Sequence, residues 1–191
     1  MGYLEETLIF ESDKIHYTDE SFGGDREVMM DWEDSLMSAS AAYVTEGGGD
    51  ILEIGFGMGI SAGYMHSHSI NSHTIVENHP DIIPKAVEWA NNKSNVTIIS
   101  QSWYNVKDSL GTFDGVFYDT FEDENYKDFS SSLSTWTKSG TKVTFWNDDN
   151  GESNNHQIQT SYQQINITPP NSASVYFRNG NTTYYMPMKE F

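Results

Sequence analysis

The chain has 191 residues, no cysteine, and 28 acidic against 10 basic residues, giving a formal net charge of -18. Its length suits one α/β domain, which buries roughly 70% of the surface that the unfolded chain exposes. The lack of cysteine excludes disulfides and thiolate metal sites, and the charge disfavours nucleic acid and anionic membranes as partners. Glu5 and Glu6 stand where a signal peptide is positive, and no apolar run has the length of a membrane span, so a cytoplasmic protein is expected.

The sequence of the N-terminal part predicts an acidic leading segment followed by a helix. Residues 1–25 are expected to form an acidic lead or a lid in front of the main domain, residues 26–191. From Arg26 to Glu46, apolar residues such as Val28 and Trp32 recur at the spacing of one helical face. The pattern predicts a helix over this whole stretch, ended by the three glycines that follow it.

From residue 50 onward, short apolar runs alternate with helical stretches, which is typical of βαβ units and a parallel sheet. The predicted strands are Ile51–Ile54, Thr74–Glu77, Val96–Ser100, Phe113–Tyr118 and Thr141–Trp146, and the predicted helices are Ile60–Ser67, Ile82–Ala90 and Tyr126–Trp136. Two further strand-like runs, Ser174–Arg178 and Thr182–Met188, flank Asn179-Gly180-Asn181, a sequence typical of a hairpin turn. A mostly parallel, seven-stranded sheet with a C-terminal antiparallel hairpin is the Rossmann-like arrangement of class I methyltransferases, although mixed edges occur in other α/β folds.

The segment Asp50–Ser61 combines a strand, a turn with glycines at alternate positions and the start of a helix. Gly55, Gly57 and Gly59 would let a ligand approach the backbone closely. The spacing departs from the G-x-G-x-x-G pattern of dinucleotide sites, because Ile60 occupies the position of the last glycine. A nicotinamide cofactor is therefore disfavoured.

Acidic and aromatic residues near this turn point to S-adenosylmethionine. Glu53 precedes the glycines, where it would repel a pyrophosphate, and E-x-G-x-G-x-G is the spacing of S-adenosylmethionine sites. Glu77 ends the next predicted strand and can accept hydrogen bonds from both ribose hydroxyls. Trp103 follows the third strand and offers a face to adenine, although on its own it is better explained as a core residue. The alternative explanation for the whole set is structural: the glycines form a tight turn, and Glu77 is a solvated residue at the end of a strand.

Asp119 follows the fourth predicted strand, at the sheet edge where doubly wound folds bind their ligands. It is the leading catalytic candidate; the alternative is an aspartate that caps a turn. No metal site is predicted, because the histidines in the first half of the parallel region lack H-x-x-x-H spacing and no cysteine joins them. These histidines are His66, His68, His73 and His79.

Three separated blocks, Val28–Glu33, Glu53–Met58 and Phe113–Thr120, resemble the family of guanidinoacetate and protein arginine N-methyltransferases. The resemblance covers roughly residues 26–150 and the pair Tyr184-Tyr185. It implies an enzyme that uses S-adenosylmethionine, releases S-adenosylhomocysteine and methylates a guanidino nitrogen in a small molecule or in an arginine side chain of a protein. The residues that it implies around the cofactor are Met29, Phe56, Gly57, Met58, Gly59, Ile60, Ser61, Glu77, Asn78, His79 and Trp103.

The resemblance also implies that Glu33 and Asp119 hold the acceptor. A guanidinium has a pKa of roughly 12, so it stays protonated at neutral pH and has no lone pair free to attack a methyl group. Two carboxylates would grip it through paired hydrogen bonds, orient one nitrogen and accept its proton. From the pattern alone, Glu33 would be an exposed position of an amphipathic helix.

The loop after the fifth predicted strand, where the family binds the acceptor, carries Asn147, Asp148 and Asp149. Two aspartates there would oppose an acceptor carboxylate, so an acceptor without one is favoured over guanidinoacetate. Two alternatives stay open: methylation of another amine or hydroxyl, and a noncatalytic partner that binds S-adenosylmethionine. The second is motivated by the shortness of the chain, relative to the family pattern, between Gly151 and the final strands. The pattern does not predict an oligomeric state.

Overall fold

Two sheets organise the chain in the computed structural model, which describes residues 2–148, 151–168 and 182–191. The smaller sheet consists of β1 (Ile9–Phe10), β2 (Lys14–Asp19) and β3 (Gly24–Met30). The larger sheet consists of β4 (Asp50–Ile54), β5 (Ser72–Glu77), β6 (Val96–Ser100), β7 (Phe113–Tyr118), β8 (Thr137–Phe145), β9 (Ser161–Asn166) and β10 (Thr183–Glu190). The α-helices are α1 (Asp34–Thr45), α2 (Ile60–Ser67), α3 (Ile83–Ala90), α4 (Trp103–Val106) and α5 (Phe129–Trp136). None of the helices in these ranges is long and apolar enough to cross a membrane.

The seven strands of the larger sheet have the order β6-β5-β4-β7-β8-β10-β9. The first five run parallel, and β10 lies antiparallel to both β8 and β9. This confirms the predicted mostly parallel sheet with an antiparallel C-terminal pair. The chain order reverses at β4, so the carboxyl ends of β4 and β7 border the crevice in which doubly wound folds bind their ligands.

The core lies on both faces of the parallel strands. Successive residues of β4 point to opposite faces, as the period of a strand requires. Leu52 packs in one cluster with Val116 and with Trp136 of α5, whereas Ile51 packs in another with Met37 of α1. All five side chains are almost fully buried. The burial on both faces explains why the parallel strands are short continuous apolar runs in the sequence.

The N-terminal region differs from the prediction. The predicted helix over Arg26–Glu46 is wrong in its first part, since Gly24–Met30 forms β3 and α1 begins only at Asp34. Residues 26–30 are hydrogen-bonded to β2, with Arg26 opposite Tyr17, and this pairing with a distant segment outweighs the helical spacing of the apolar residues. The expected division after residue 25 falls inside β3 and stays a prediction.

The last strand, β10, has a partner that the sequence did not predict. The run Ser174–Arg178 and the turn Asn179-Gly180-Asn181 lie outside the described residues. Within them, β10 pairs with β9, and Tyr184 faces Ile165 across the ladder. In β9 only Ile165 is buried, so the strand carries almost no apolar pattern, and no strand was predicted there.

Candidate active site

The glycine turn after β4 brings its backbone against the loop that follows β7. Gly55 has a φ of 93°, and a Cβ built there would overlap the carbonyl oxygen of Asp119. The amide of Asp119 donates a hydrogen bond to the carbonyl of Ile54 at 2.9 Å. Gly57 has a φ of 53° and lies against the sulfur of Met29 in the same way. Glycine is therefore required at both positions, by backbone conformation and by close contact.

A cavity of about 510 Å³ lies beside this turn, at the carboxyl ends of β4, β5 and β7. Its volume is within the roughly 300–1,000 Å³ typical of cofactor sites. The residues predicted at the cofactor that line it are Met29, Gly55, Phe56, Gly57, Ser61, Glu77, Asn78 and Trp103. Glu53, Met58, Gly59, Ile60 and His79 were predicted there too but are outside the lining.

The side chain of Glu77 is held by three backbone amides at the end of β5. One oxygen accepts the N–H of Phe56 at 2.9 Å, and the other accepts those of Asn78 and His79 at 2.8 Å each. An ionised carboxylate offers about four acceptor positions. Glu77 is therefore fixed in the cavity wall with acceptor capacity left for a ligand hydroxyl.

Glu53 is fully buried below the turn. One carboxylate oxygen accepts the hydroxyl of Ser61 at the start of α2, and the other lies 2.9 Å from Nε2 of His73 on β5. The side chain thus connects three elements that carry the glycine turn. In this position Glu53 supports the turn from behind and does not face the cavity.

Trp103 is both a core residue and part of the cavity wall. Its ring meets those of Tyr118 and Trp136 edge-on, with centroids 5.7 and 5.6 Å apart. Its indole N–H donates to Asp123 at 2.5 Å, and the same oxygen accepts the hydroxyl of Tyr118 at 2.5 Å. Asp123 therefore ties the Trp103 side of the cavity to the loop that carries Asp119.

Glu33 and Asp119 line the cavity from two different elements. Glu33 precedes α1, is 8% exposed, and accepts the N–H of Met30 at 2.9 Å. Burial, followed by the charge of Asp119, raises the pKa of Glu33 well above its usual range. Burial raises the pKa of Asp119 to about 7, and the charges of Glu53 and Asp148 add to the effect.

Among the residues that the structure describes, no lysine, arginine or histidine lies within ion-pair distance of Glu33 or Asp119. Buried carboxylates without a cation are costly to ionise. Since this part of the cavity combines burial with like charges, it favours a cationic ligand that supplies the missing counter-charge.

The loop after β8 lies beside these carboxylates. The amide of Asn147 donates to the hydroxyl of Tyr184 at 2.9 Å, and Asp148 accepts the indole N–H of Trp146 at 2.7 Å. Trp146 lines the cavity, whereas Asn147 and Asp148 do not. Asp149, which was also predicted at the acceptor, lies outside the described residues.

The predicted site residues leave out much of the cavity wall, including two continuous stretches, residues 2–5 and residues 121–125. In the second stretch, Glu122 pairs with Arg26 and accepts the hydroxyl of Tyr17 at 3.3 Å. A signal for this stretch is present in the sequence, because an acidic run directly follows the strand that ends at Tyr118. Residues 2–5 gave no comparable signal. They precede the small antiparallel sheet, which was not predicted either.

The sheet order, the glycine turn and the carboxylates at the ends of β5 and β7 define the class I methyltransferase fold. Solved structures with this fold include a putative S-adenosylmethionine-dependent methyltransferase from Streptococcus mutans, with a TM-score of 0.61, 9% identity, and coverage of 96% of this chain and 55% of that one. Another is the N-methyltransferase NodS from Bradyrhizobium japonicum WM9 in complex with S-adenosylhomocysteine, with a TM-score of 0.50, 15% identity, and coverage of 60% and 61%. At these identities the likeness shows the fold alone.

The family model of guanidinoacetate N-methyltransferase matches residues 15–147. Protein arginine N-methyltransferase 2 of Yarrowia lipolytica is 36% identical over 141 residues, which cover 67% of this chain and 28% of that protein. The same enzyme of Kluyveromyces lactis is 37% identical over 137 residues, which cover 66% and 32%. The chain therefore belongs to the guanidinoacetate N-methyltransferase family, whose cofactor is S-adenosylmethionine. It spans less than a third of the length of these relatives.

Proposed function

We propose that the chain transfers a methyl group from S-adenosylmethionine to a guanidino nitrogen. The observation that carries the proposal is the pair Glu33 and Asp119, two carboxylates in one cavity wall with raised pKa values. No basic side chain of the described residues neutralises either of them. A planar guanidinium with several N–H donors fits two such acceptors.

The cavity next to the glycine turn suits the cofactor. Gly55 and Gly57 present backbone to the cavity, and Glu77 has acceptor capacity for a ribose hydroxyl. Trp103 offers an aromatic wall to adenine. When bound, S-adenosylmethionine supplies an electrophilic methyl group. The remaining residues predicted at the cofactor, among them Glu53, would act by supporting the turn.

Asp119 is the candidate base. A guanidinium nitrogen must lose a proton as it gains a methyl group, and a carboxylate with a pKa of about 7 is matched to accept it near neutral pH. Glu33, from the other element, would hold the second edge of the guanidinium and fix its orientation. Both groups would bind the acceptor in their ionised form, because the cation lowers their pKa values.

The acceptor that fits best carries no carboxylate. Asp148 lies close enough to Asp119 to raise its pKa, so it would also repel a negative group on the acceptor. The relatives described above are named protein arginine N-methyltransferases, and an arginine side chain within a polypeptide meets this requirement. We therefore favour an arginine side chain or a simple alkylguanidine over guanidinoacetate.

A two-part experiment tests the proposal. Calorimetric titration with S-adenosylhomocysteine measures cofactor binding, and methyl transfer is then measured with an arginine peptide, agmatine and guanidinoacetate as acceptors. Transfer to the first two, with little to guanidinoacetate, is expected. Binding without transfer to any acceptor would instead support a noncatalytic partner.

The variant Glu33→Gln separates a guanidinium site from a site for another amine or hydroxyl. Glutamine keeps the size of the side chain but removes the charge that grips the guanidinium, so methyl transfer should fall about tenfold or more, in line with a lost charge-assisted hydrogen bond. The matched control is Glu88→Gln, an exposed position of α3 outside the cavity. Undiminished transfer by Glu33→Gln would overturn the guanidinium assignment.

A further inference from the structure

The loop that follows β7 is fastened to both sheets. It begins with Asp119, whose amide donates to the carbonyl of Ile54 at 2.9 Å and so fixes the start of the loop to the parallel sheet. Three residues further on, the side chain of Glu122 contacts the smaller sheet instead. One of its oxygens pairs with Arg26 of β3, and the other accepts the hydroxyl of Tyr17 of β2 at 3.3 Å. The loop is therefore held between the two sheets.

Glu122 has a backbone conformation that residues other than glycine rarely adopt. Its φ is 46°, in the left-handed region. Such a conformation persists only where the surrounding contacts hold it, and it is found most often at functional sites. Thr120, Phe121 and Glu122 all line the cavity, so the strained residue is part of the cavity wall. The contacts of its side chain are therefore needed to keep this wall in shape.

The guanidinium of Arg26 is fixed by four side chains. Besides its pair with Glu122, it lies 4.0 Å from a carboxylate oxygen of Asp19. Its central carbon lies over the rings of Phe22 and Phe121, 4.7 and 5.7 Å from their centroids. Since Phe121 precedes Glu122 in the loop, the guanidinium contacts two successive loop residues. Arginine combines a rigid fork of donors with stacking on aromatic rings, and lysine cannot reproduce this combination.

Tyr17 completes the contact from the neighbouring strand. The side chain is buried, and burial, followed by the charge of Glu122, raises the pKa of Tyr17 to about 12. The hydroxyl therefore stays protonated at neutral pH and keeps its hydrogen for Glu122. Both oxygens of Glu122 thus have a donor from the smaller sheet.

We propose that Arg26 is a positioning residue that holds the loop after β7, and with it the carboxylate of Asp119, in the cavity wall. The proposal rests on the proposed role of Asp119 as the base. Arg26 does not line the cavity, so it would act through Glu122 and Phe121. A base must stay within hydrogen-bond reach of the proton that it accepts. A small displacement of the loop would therefore lower the rate more than the affinity for the acceptor.

The test compares Arg26→Gln with Lys14→Gln. Lys14 is the matched control, because it is a cation of the same small sheet but pairs with Glu11 and Asp25 instead of with the loop. In methyl transfer to the arginine peptide, Arg26→Gln should lower kcat about tenfold with little change in KM. Arg26→Lys should recover only part of the loss, since it keeps the charge without the fork. Equal kcat values of Arg26→Gln and the control would overturn the proposal.

A double variant shows whether Arg26 acts through Glu122. In a Glu122→Gln background the ion pair is already broken, so adding Arg26→Gln should lower kcat much less than it does in the wild type. If the substitution lowers kcat by the same factor in both backgrounds, Arg26 does not act through Glu122, and the proposal is wrong.

Hydrogen exchange separates a failure of this proposal from a failure of the proposed function. Without any ligand, the amides of residues 119–125 should exchange faster in Arg26→Gln than in Lys14→Gln, because the loop has lost one of its two attachments. Unchanged exchange would overturn the proposal whatever the activity is. If the wild type transfers no methyl group, the proposed function fails and the catalytic role of Arg26 fails with it. If the wild type is active and faster exchange leaves kcat at the control value, only the role of Arg26 fails.

Discussion

Glu77 and Asp119 end the strands on either side of β4, yet the protein treats the two carboxylates in opposite ways. Glu77 accepts three backbone N–H groups at 2.8–2.9 Å. Asp119 is fixed by its backbone amide, while burial and the neighbouring charges of Glu53 and Asp148 raise the pKa of its carboxyl to about 7. The chain fixes the carboxylate of Glu77 by hydrogen bonds, whereas it disfavours the charged form of Asp119.

This difference supports the two roles proposed above, cofactor binding at Glu77 and proton transfer at Asp119. Fixed hydrogen bonds around Glu77 hold it ready for a ligand hydroxyl, so binding there needs little rearrangement. A carboxylate with a pKa of about 7, as at Asp119, is only partly ionised at neutral pH, so binding of a cationic acceptor would be coupled to release of a proton. The comparison therefore predicts distinct effects of substitutions at the two ends.

The largest effect is expected from a substitution of Asp119. Asp119→Asn keeps the size of the side chain but removes its capacity to accept a proton, so methyl transfer should fall about 100-fold or more, the usual contribution of a general base. Titration with S-adenosylhomocysteine should give the wild-type Kd, because the substitution leaves the Glu77 end intact. Asp108→Asn, at a carboxylate that is 76% exposed, is the control. Full activity of Asp119→Asn would remove the contrast between the two ends.

A smaller effect, on cofactor binding and on stability, is expected from a substitution of Glu77. In Glu77→Gln, the amide NH2 would face at least one of the three backbone N–H groups, which would then lose its acceptor. Leaving a buried donor unpaired costs about 1–3 kcal/mol, so thermal stability should fall and the Kd for S-adenosylhomocysteine should rise about tenfold. Thermal melts and calorimetry measure the two changes. Loss of stability with unchanged affinity would limit Glu77 to a structural role.

The half of the cavity built by the parallel sheet could be predicted from the sequence, for a physical reason. Strands buried on both faces are continuous apolar runs, and a glycine turn between strand and helix has a fixed local spacing. Gly55, Glu77 and Asp119 could therefore be placed at one sheet edge before their contacts were known. Helix α2 and strands β6 and β7 have the predicted bounds.

The rest of the cavity depends on contacts between distant segments. The wall formed by residues 2–5 lies outside every predicted element, and the apolar spacing around Val28, which lies in β3, fits a helix equally well. Glu53 has the sequence position of a cofactor ligand, but His73, on another strand, holds its carboxylate behind the turn. Such pairings combine residues that are far apart in the chain, so local patterns cannot reveal them.

The smallest predicted effect concerns stability and sharpens the contrast at Asp119. Its pKa is raised from 3.8 to about 7, so between these values the folded protein binds a proton more tightly than the unfolded chain. The resulting stabilisation is complete below the unfolded value and is lost as the pH rises through about 7. Asp119→Asn has no such loss, so its free energy of unfolding should rise relative to that of the wild type between about pH 4 and pH 7, and no further above that. Urea denaturation across this range measures the difference. A difference that does not change with pH would mean that the protein already neutralises Asp119, and the contrast with Glu77 would then not hold.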